Sequence, residues 1–159
     1  MKIVNRWSGE TIWEGDVQTI QEAVSAAIAA GANLTDANLT GANLTGANLQ
    51  PSRDDLWAVL SSTPSEVPAL IAALREGRID GSSYEGSCAC LVGTLAHARG
   101  CEYDAIPGLS PNASRPVELF FAAIKPGDTP ETSQFSRLAI EWCEDWLLRM
   151  QQAFGGSHA

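Results

Sequence analysis

Residues 32–50 read ANLTDANLTGANLTGANLQ and contain the unit Ala-Asn-Leu four times at a spacing of five residues. A helix brings side chains back to the same face about every 3.6 residues and a strand about every 2, so a strict period of five fits neither. A coil that turns a corner every five residues fits it. In such a coil the Leu and Ala side chains point inward, and the Asn and Thr side chains point outward.

This unit, a small residue followed by Asn, Leu and two more residues, resembles the pentapeptide-repeat family. The resemblance covers about an eighth of the chain. It implies a right-handed quadrilateral β-solenoid. Four pentads make about one coil, and a solenoid needs several stacked repeats to bury a continuous core. We therefore expect the rest of the chain to cover this coil.

The chain is predicted to be α+β, with the coil between an N-terminal cap and a helical C-terminal half. In residues 1–31, two short strands joined by a turn at Ser8 and Gly9 lead into a helix over 18–30, which begins near a Ser or Asp and ends at Gly31. This order resembles the cap of short pentapeptide-repeat proteins from bacteriophages and prophages. The coil is expected over 32–51, the helical region packed on it over 52–154, and a disordered tail over 155–159.

Cap signals place several helices in the second half. Ser52 is predicted as the N-cap of the first, and a Thr-Pro-Ser-Glu entry at 63–66 starts a second that runs to about Glu76. Ser114 is predicted to cap a helix that ends near 126–128, and Thr129 to cap the last helix. The apolar residues of the last helix share one face: Phe135, Leu138, Ala139, Trp142, Trp146 and Met150.

Residues 78–100 allow two interpretations. Apolar residues between 88 and 95 follow helical spacing and predict a helix that ends at Gly100. The competing pattern is a five-residue step, which would make a degenerate second coil. Its residues are Ile79, Tyr84, Ala89 and Thr94. The helix is the preferred interpretation.

Composition limits the classes of function. The 159 residues carry a net charge of −9, spread evenly along the chain, and 45% of them are apolar. These values suit one acidic domain and disfavour direct binding to nucleic acid, because no basic patch is visible. The start lacks a long apolar run, and no apolar stretch is long enough to cross a membrane. We therefore expect a protein of the bacterial cytoplasm whose cysteines are thiols or ligands rather than disulfides.

The only local cluster with metal-ligand chemistry is Cys88, Cys90, His97 and Cys101. Thiolate and imidazole suit tetrahedral zinc, but the spacing C-x-C-x6-H-x3-C is not that of a usual zinc knuckle, and buried thiols fit the apolar surroundings equally well. In a helix, Cys90 and His97 would lie about 10 Å apart along the axis, too far for a nucleophile and its base. Cys101 lies closer to His97, but no third orienting group is evident, although Glu102 or Asp104 could serve. Buried thiols are therefore preferred, and no metal, cofactor or catalytic residue is predicted.

Two groups of residues are candidates for contact with a partner. The first lies in the predicted loops around the cysteine segment, and the second lies on the charged face of the last helix. The candidates are Tyr84, Glu85, Glu102, Asp104, Glu141, Glu144 and Asp145. The five tryptophans fall on predicted apolar faces and are assigned to the core, although one left exposed would mark a partner surface.

The expected function is non-enzymatic binding of a protein partner. No familiar catalytic signature is present, and a rigid coil beside an acidic surface is a suitable contact platform. The resemblance implies an accessory protein of a phage or mobile element, since longer family members mimic DNA and acidic phage proteins of this size block host complexes such as CRISPR effectors. We therefore expect an anti-defence inhibitor that occupies the basic surface of a host protein or nucleoprotein complex. A zinc- or small-molecule-binding protein and a structural phage component are the alternatives, and a homodimer is left open.

Overall fold

A hairpin, a helix, the repeat and a set of further helices follow one another along the chain, so the fold is α+β. The computed structural model describes residues 1–39 and 42–155. The strands are β1 (Lys2–Val4) and β2 (Thr11–Glu14). The helices are α1 (Ile20–Ala29), α2 (Gln50–Ser62), α3 (Val67–Arg75), α4 (Leu91–Arg99), α5 (Pro116–Phe121) and α6 (Gln134–Phe154), with a 3₁₀ turn at Pro64–Glu66 before α3.

The hairpin and α1 lie where the sequence predicts them. β1 and β2 pair antiparallel, with Ile3 opposite Trp13. Thr19, rather than a Ser or Asp, caps α1: its hydroxyl accepts the Glu22 N–H while the Glu22 carboxylate accepts the Thr19 N–H. This reciprocal pair satisfies donors that a helix start leaves open. Gly31, with a φ of +72°, ends the helix as predicted.

The repeat forms a coil of turns. In three successive pentads the Ala N–H donates to the carbonyl of the preceding Leu at 2.9 to 3.0 Å, so the chain turns once every five residues. The Asn side chains point outward, and most of the repeat Leu side chains are buried, namely Leu34, Leu44 and Leu49. The inward Leu face and the outward Asn face predicted from the sequence are therefore confirmed.

Solenoid strands are absent from the part of this coil that the structure describes. The ladder contact recorded there is an isolated antiparallel bridge between Asn5 and Ala37. Strands of a solenoid pair with the coils above and below them, and a single coil has no neighbouring coil. The predicted quadrilateral β-solenoid is therefore corrected to one coil built from turns.

Other parts of the chain supply bonds that a second coil would supply. The carbonyl of Ala37 accepts from the side chains of Arg6 and Lys125 at 3.4 and 3.3 Å. Further along the coil, the Leu44 N–H donates to the side-chain oxygen of Gln134 in α6. Because a buried backbone group without a partner costs free energy, these bonds let one coil persist between the hairpin and α6.

α2 and α3 form as predicted, but α2 begins three residues early. Ser52 is not its cap: this residue is buried inside α2, and its hydroxyl donates to the Pro116 carbonyl at 3.2 Å. Leu49 occupies the N-cap position without a side-chain bond. The 3₁₀ turn leads directly into α3, and Gly77, with a φ of +68°, follows its end.

Residues 78–100 form a loop followed by α4. Thr94 lies inside α4, where its hydroxyl donates to the Ala89 carbonyl at 3.1 Å. One parallel bridge joins Ile79 to Ala89 in the loop. The helix prediction is therefore confirmed for the second half of the segment, and the degenerate second coil is wrong, since a helix occupies the place of its last pentad.

α5 and α6 begin later than predicted. Ser114 is exposed, and the N-cap of α5 is Arg115 without a side-chain bond. α5 also ends at Phe121, well before 126–128. Thr129 closes a separate turn by accepting the Thr132 N–H at 3.0 Å, and Ser133 caps α6 instead.

The apolar face of α6 is confirmed and faces the core. Phe135, Ala139 and Trp146 are buried there, while α2 and α3 pack against the same helix. The predicted tail begins at Gly155, which caps α6, and residues 156–159 lie outside the described residues. Within the described part, no helix has both the length and the apolar composition needed to cross a membrane.

Candidate protein-binding face

Two tyrosines from separate loops stack on each other. The ring centroids of Tyr84 and Tyr103 are 5.0 Å apart, with 20° between the ring planes. Tyr84 precedes α4 and Tyr103 follows it, so the stack brings the two loops together. Exposed carboxylates flank the stack at Glu85, Glu102 and Asp104. The predicted loop candidates therefore meet in space, and Tyr103 is an addition, signalled in the sequence only by its place between two acidic residues.

A buried carboxylate anchors the stack. The Tyr84 hydroxyl donates to one oxygen of Glu118 at 2.6 Å, and the other oxygen accepts the Asn112 N–H at 3.0 Å. Glu118 is only 7% exposed. Burial, together with the hydrogen bond and the charge of Glu118, raises the pKa of Tyr84. Tyr84 is therefore held as a neutral donor in one orientation.

Cys90, which directly precedes α4, is the buried thiol of the cysteine segment. Burial raises the pKa of the Cys90 thiol to about 11, so the thiol is protonated at neutral pH. Cys88 and Cys101 are half-buried, whereas His97 is exposed. Among the residues that the structure describes, no three His, Cys, Asp or Glu side chains are grouped closely enough to hold a metal ion.

Trp7 departs from its predicted place in the core. Its side chain is 79% exposed, because it lies in the turn between β1 and β2 rather than on a packed strand. The turn is nevertheless well bonded. The side-chain oxygen of Asn5 accepts the N–H groups of Trp7 and Ser8 at 2.8 and 3.0 Å. Because Trp is enriched in the binding hot spots of protein interfaces, this exposed indole is a candidate contact.

The Trp7 turn and the tyrosine stack belong to one surface. A cavity of about 360 Å³ is lined by Trp7, Asp36 and Asp80. A second cavity of about 110 Å³ includes Tyr84 and Glu118, and the two share Thr35, Ser82 and Ala122. We call the continuous surface the aromatic–acidic face and define it by Trp7, Asp36, Asp80, Tyr84, Glu85, Glu102, Tyr103 and Asp104.

The coil between these loops is similar to a known family of repeats. Residues 24–50 match the family model described as Pentapeptide repeats (8 copies). The match spans less than a fifth of the chain. It begins inside α1 and ends at the first residue of α2, so the similarity concerns the repeat and not the helical half. No curated protein and no solved structure matches the chain.

The pentapeptide repeat contributes one rigid member of the face. Asp36, in its first turn, has a φ of +57°, and its carbonyl accepts the Arg6 N–H at 2.9 Å. Asp tolerates this left-handed conformation better than most residues. Because Arg6 directly precedes Trp7, this bond fixes the turn of the hairpin relative to the repeat.

The three predicted carboxylates of α6 are not part of the aromatic–acidic face. Glu144 pairs with Arg75, and Asp145 pairs with Arg149 at 3.2 Å. Glu141 is exposed and lines a separate cavity between the pentapeptide repeat and α6. Two of these three charges are therefore already compensated.

The carboxylates of the aromatic–acidic face are not compensated in this way. Seven ion pairs in the described residues engage seven of the ten Lys and Arg and seven of the nineteen Asp and Glu. None of the seven includes a carboxylate of the face. Arg6 and Lys125 also line the Trp7 cavity, so the negative charge is concentrated at the tyrosine end.

Proposed function

We propose that this chain is a non-enzymatic binding protein whose aromatic–acidic face contacts the basic surface of a protein partner. The observation that carries the proposal is Trp7, a 79%-exposed indole on a bonded turn that is continuous with a patch of carboxylates. Aromatic side chains dominate the energetics of many interfaces, whereas complementary charge sets their orientation and association rate.

The two ends of the face have different roles in this proposal. Trp7 supplies apolar contact area, and its rigid turn limits the entropy lost on binding. Glu85, Glu102 and Asp104 supply negative charge around the stacked tyrosines and pair with Lys or Arg of the partner. The pentapeptide repeat acts as the support that holds the two ends in register.

The finer proposal is an anti-defence inhibitor of phage type, acting in the cytoplasm of a bacterial host. Its support is the resemblance of the repeat to the pentapeptide family, the net charge of −9 and the carboxylates left outside ion pairs. A host protein or nucleoprotein complex that uses a basic groove for nucleic acid has the complementary surface. In this proposal the protein competes with nucleic acid for that groove.

The test compares two exposed aromatics. Trp7→Ala removes the indole of the face, and Phe154→Ala removes a 74%-exposed ring at the end of α6. Immobilised wild-type protein and both variants are used to capture partners from a bacterial lysate at low and high salt. We expect wild type and Phe154→Ala to retain the same basic complex at low salt, and Trp7→Ala to retain at least about tenfold less.

Two outcomes argue against the proposal. Equal loss in both variants would show that exposed apolar area, and not the face, governs capture. Capture that is unchanged by salt would remove the role of charge, since pairs between exposed opposite charges weaken with screening. An oligolysine peptide, with oligoglutamate as its control, provides the same comparison with a defined probe.

A further inference from the structure

The cleft between the pentapeptide repeat and the start of α6 differs in charge from the molecule as a whole. It consists of two neighbouring cavities of about 480 and 540 Å³ that share Gln134 and Arg137 in their walls. Its described lining includes four of the ten basic residues and three of the nineteen acidic ones. These are Arg6, Arg53, Lys125 and Arg137, against Asp128, Glu131 and Glu141. We propose that this repeat–α6 cleft binds a small organic anion through a carboxylate or phosphate group.

Two of the cations converge on one atom. A guanidinium nitrogen of Arg6 and the ammonium nitrogen of Lys125 lie 3.4 and 3.3 Å from the Ala37 carbonyl oxygen, and are therefore no more than 6.7 Å apart. Like charges at this separation repel each other, and an anion in the same cavity offsets the repulsion.

Asp128 and Glu131 are the acidic residues in the lining of the cavity that holds these cations. One carboxylate oxygen of Asp128 accepts the Lys125 backbone N–H at 3.0 Å. Burial raises the pKa of Asp128, while the charge of Arg6 opposes this shift. The lining of this cavity nevertheless sets three cations, Arg6, Lys125 and Arg137, against two carboxylates, so one positive charge is left for an anion to offset.

Arg137 stands between the two cavities. Its Nε donates to the Pro130 carbonyl at 3.0 Å, which uses one of the five N–H groups of a guanidinium. The seven ion pairs of the described residues include neither Arg137 nor Lys125. The first turn of α6, a helix of 21 residues, lies in the same wall, and the partial positive charge of a helix start adds to the attraction.

The second cavity supplies an apolar wall beside this charge. Leu44, Leu49, Leu138 and Trp142 line it together with Arg53 and Arg137. Ligand sites commonly combine an apolar lining with a few convergent polar groups in a volume of this order. The geometry therefore suits an anion with an aromatic or branched body better than a bare inorganic ion.

The experiment titrates benzoate, benzamide and inorganic phosphate into the full chain, with backbone amide chemical shifts as the readout. We expect benzoate to shift the amides of Leu44 and of residues 134–138 with a Kd of order 1 mM, and benzamide, its neutral analogue, to bind at least about tenfold more weakly. Arg137→Gln is expected to weaken benzoate binding by about tenfold. Arg78→Gln, at an exposed cation paired with Glu76 outside the cleft, is the matched control and should leave binding unchanged.

Several results would overturn the proposal. They are equal binding of benzamide and benzoate, equal loss in Arg137→Gln and Arg78→Gln, or shifts spread over the whole surface rather than the cleft. Lys125→Gln gives a second test if Arg137→Gln does not fold. Phosphate binding without benzoate binding would reject the organic ligand. Trp7→Ala should leave benzoate binding intact, so failure here is distinct from failure of the protein-binding proposal.

Discussion

Residues 32–49 and 79–94 both keep a five-residue step, yet the described parts of the first (32–39 and 42–49) fold as a coil of turns and the second folds as a loop and a helix. In the first, the same three residues recur at each step, so every Leu has the same register and three successive Ala residues close the same turn. In the second, the step residues differ in size and polarity, and the apolar residues between them repeat at helical spacing. A five-residue period at one position of the unit is therefore weaker evidence for a coil than a period that every position of the unit keeps.

Glycine has a different purpose in the two segments. Gly46 of the coil has a φ of +82° and open space where a Cβ would lie. Gly93 in α4 has no such conformation, but a Cβ there would lie 2.2 Å from the Tyr84 carbonyl oxygen. The coil uses glycine to turn the chain, and the second segment uses it to let a loop approach a helix.

The largest effect is expected in the core of the coil. Leu34→Ala should lower the free energy of unfolding by about 4 kcal/mol, because the side chain is fully buried and a cavity remains. Leu39→Ala is the matched control: it has the same register in the repeat but is only half-buried, so its loss should be smaller. Urea denaturation measures both. Equal losses would mean that register alone, rather than packing, determines the contribution of a repeat Leu.

The next effect tests the close approach in the second segment. Ala is normally the better helix former, by about 1 kcal/mol over Gly. Gly93→Ala should nevertheless lower the free energy of unfolding by about 3 kcal/mol, because the new methyl collides with the backbone of the Tyr84 loop. Gly46→Ala in the coil should cost only about 1 kcal/mol, through its left-handed φ. A stabilised Gly93→Ala protein would show that the loop can move aside freely.

The smallest expected effect is a pH dependence of the free energy of unfolding that arises in the second segment. The pKa of Cys90 is raised from its ordinary value of 9.0 to about 11, so the stability that this burial provides is complete below pH 9 and is lost as the pH rises towards 11. The free energy of unfolding measured by denaturation should therefore be roughly 1 kcal/mol lower at pH 10 than at pH 8. Tyr84, whose pKa is also raised, adds to the loss only above its ordinary value of 10.0.

Cys90→Ala is the control for this pH dependence. It should be less stable than wild type at pH 8 but should lose less between pH 8 and pH 10. The coil contains neither Cys nor Tyr, so the alkaline loss is expected to originate in the second segment. An unchanged pH dependence in Cys90→Ala would assign the alkaline loss to other groups.

Local signals predicted the elements better than their boundaries. The hairpin, α1, α4 and the apolar face of α6 follow from alternation, helical spacing and glycine stops. The predicted caps at Ser52, Ser114 and Thr129 are wrong, although each residue is a good N-cap by type. Ser52 instead bonds the distant Pro116 carbonyl, and that partner could not be read from local sequence.

The candidate site was predicted in part. The sequence predicts loop positions for Tyr84, Glu85, Glu102 and Asp104, and the stack with Tyr103 gives them a common location. The strand pattern of the hairpin predicts that Trp7 lies on an apolar face and in the core, but a two-stranded hairpin leaves its turn without a covering layer. The repeat–α6 cleft was not predicted, since its basic residues come from distant parts of an evenly acidic chain.

The sequence by itself determined which repeat side chains face inward, because a pentad places each residue relative to its nearest neighbours. It also determined the net charge and the protonatable groups. Only the tertiary structure shows how a single coil is held in place: Arg6, Lys125 and Gln134 supply hydrogen bonds that a stacked coil would otherwise supply. It also decided that Trp7 is exposed and that cations gather in one cleft. Both depend on which distant segments pack together, and no local period encodes that.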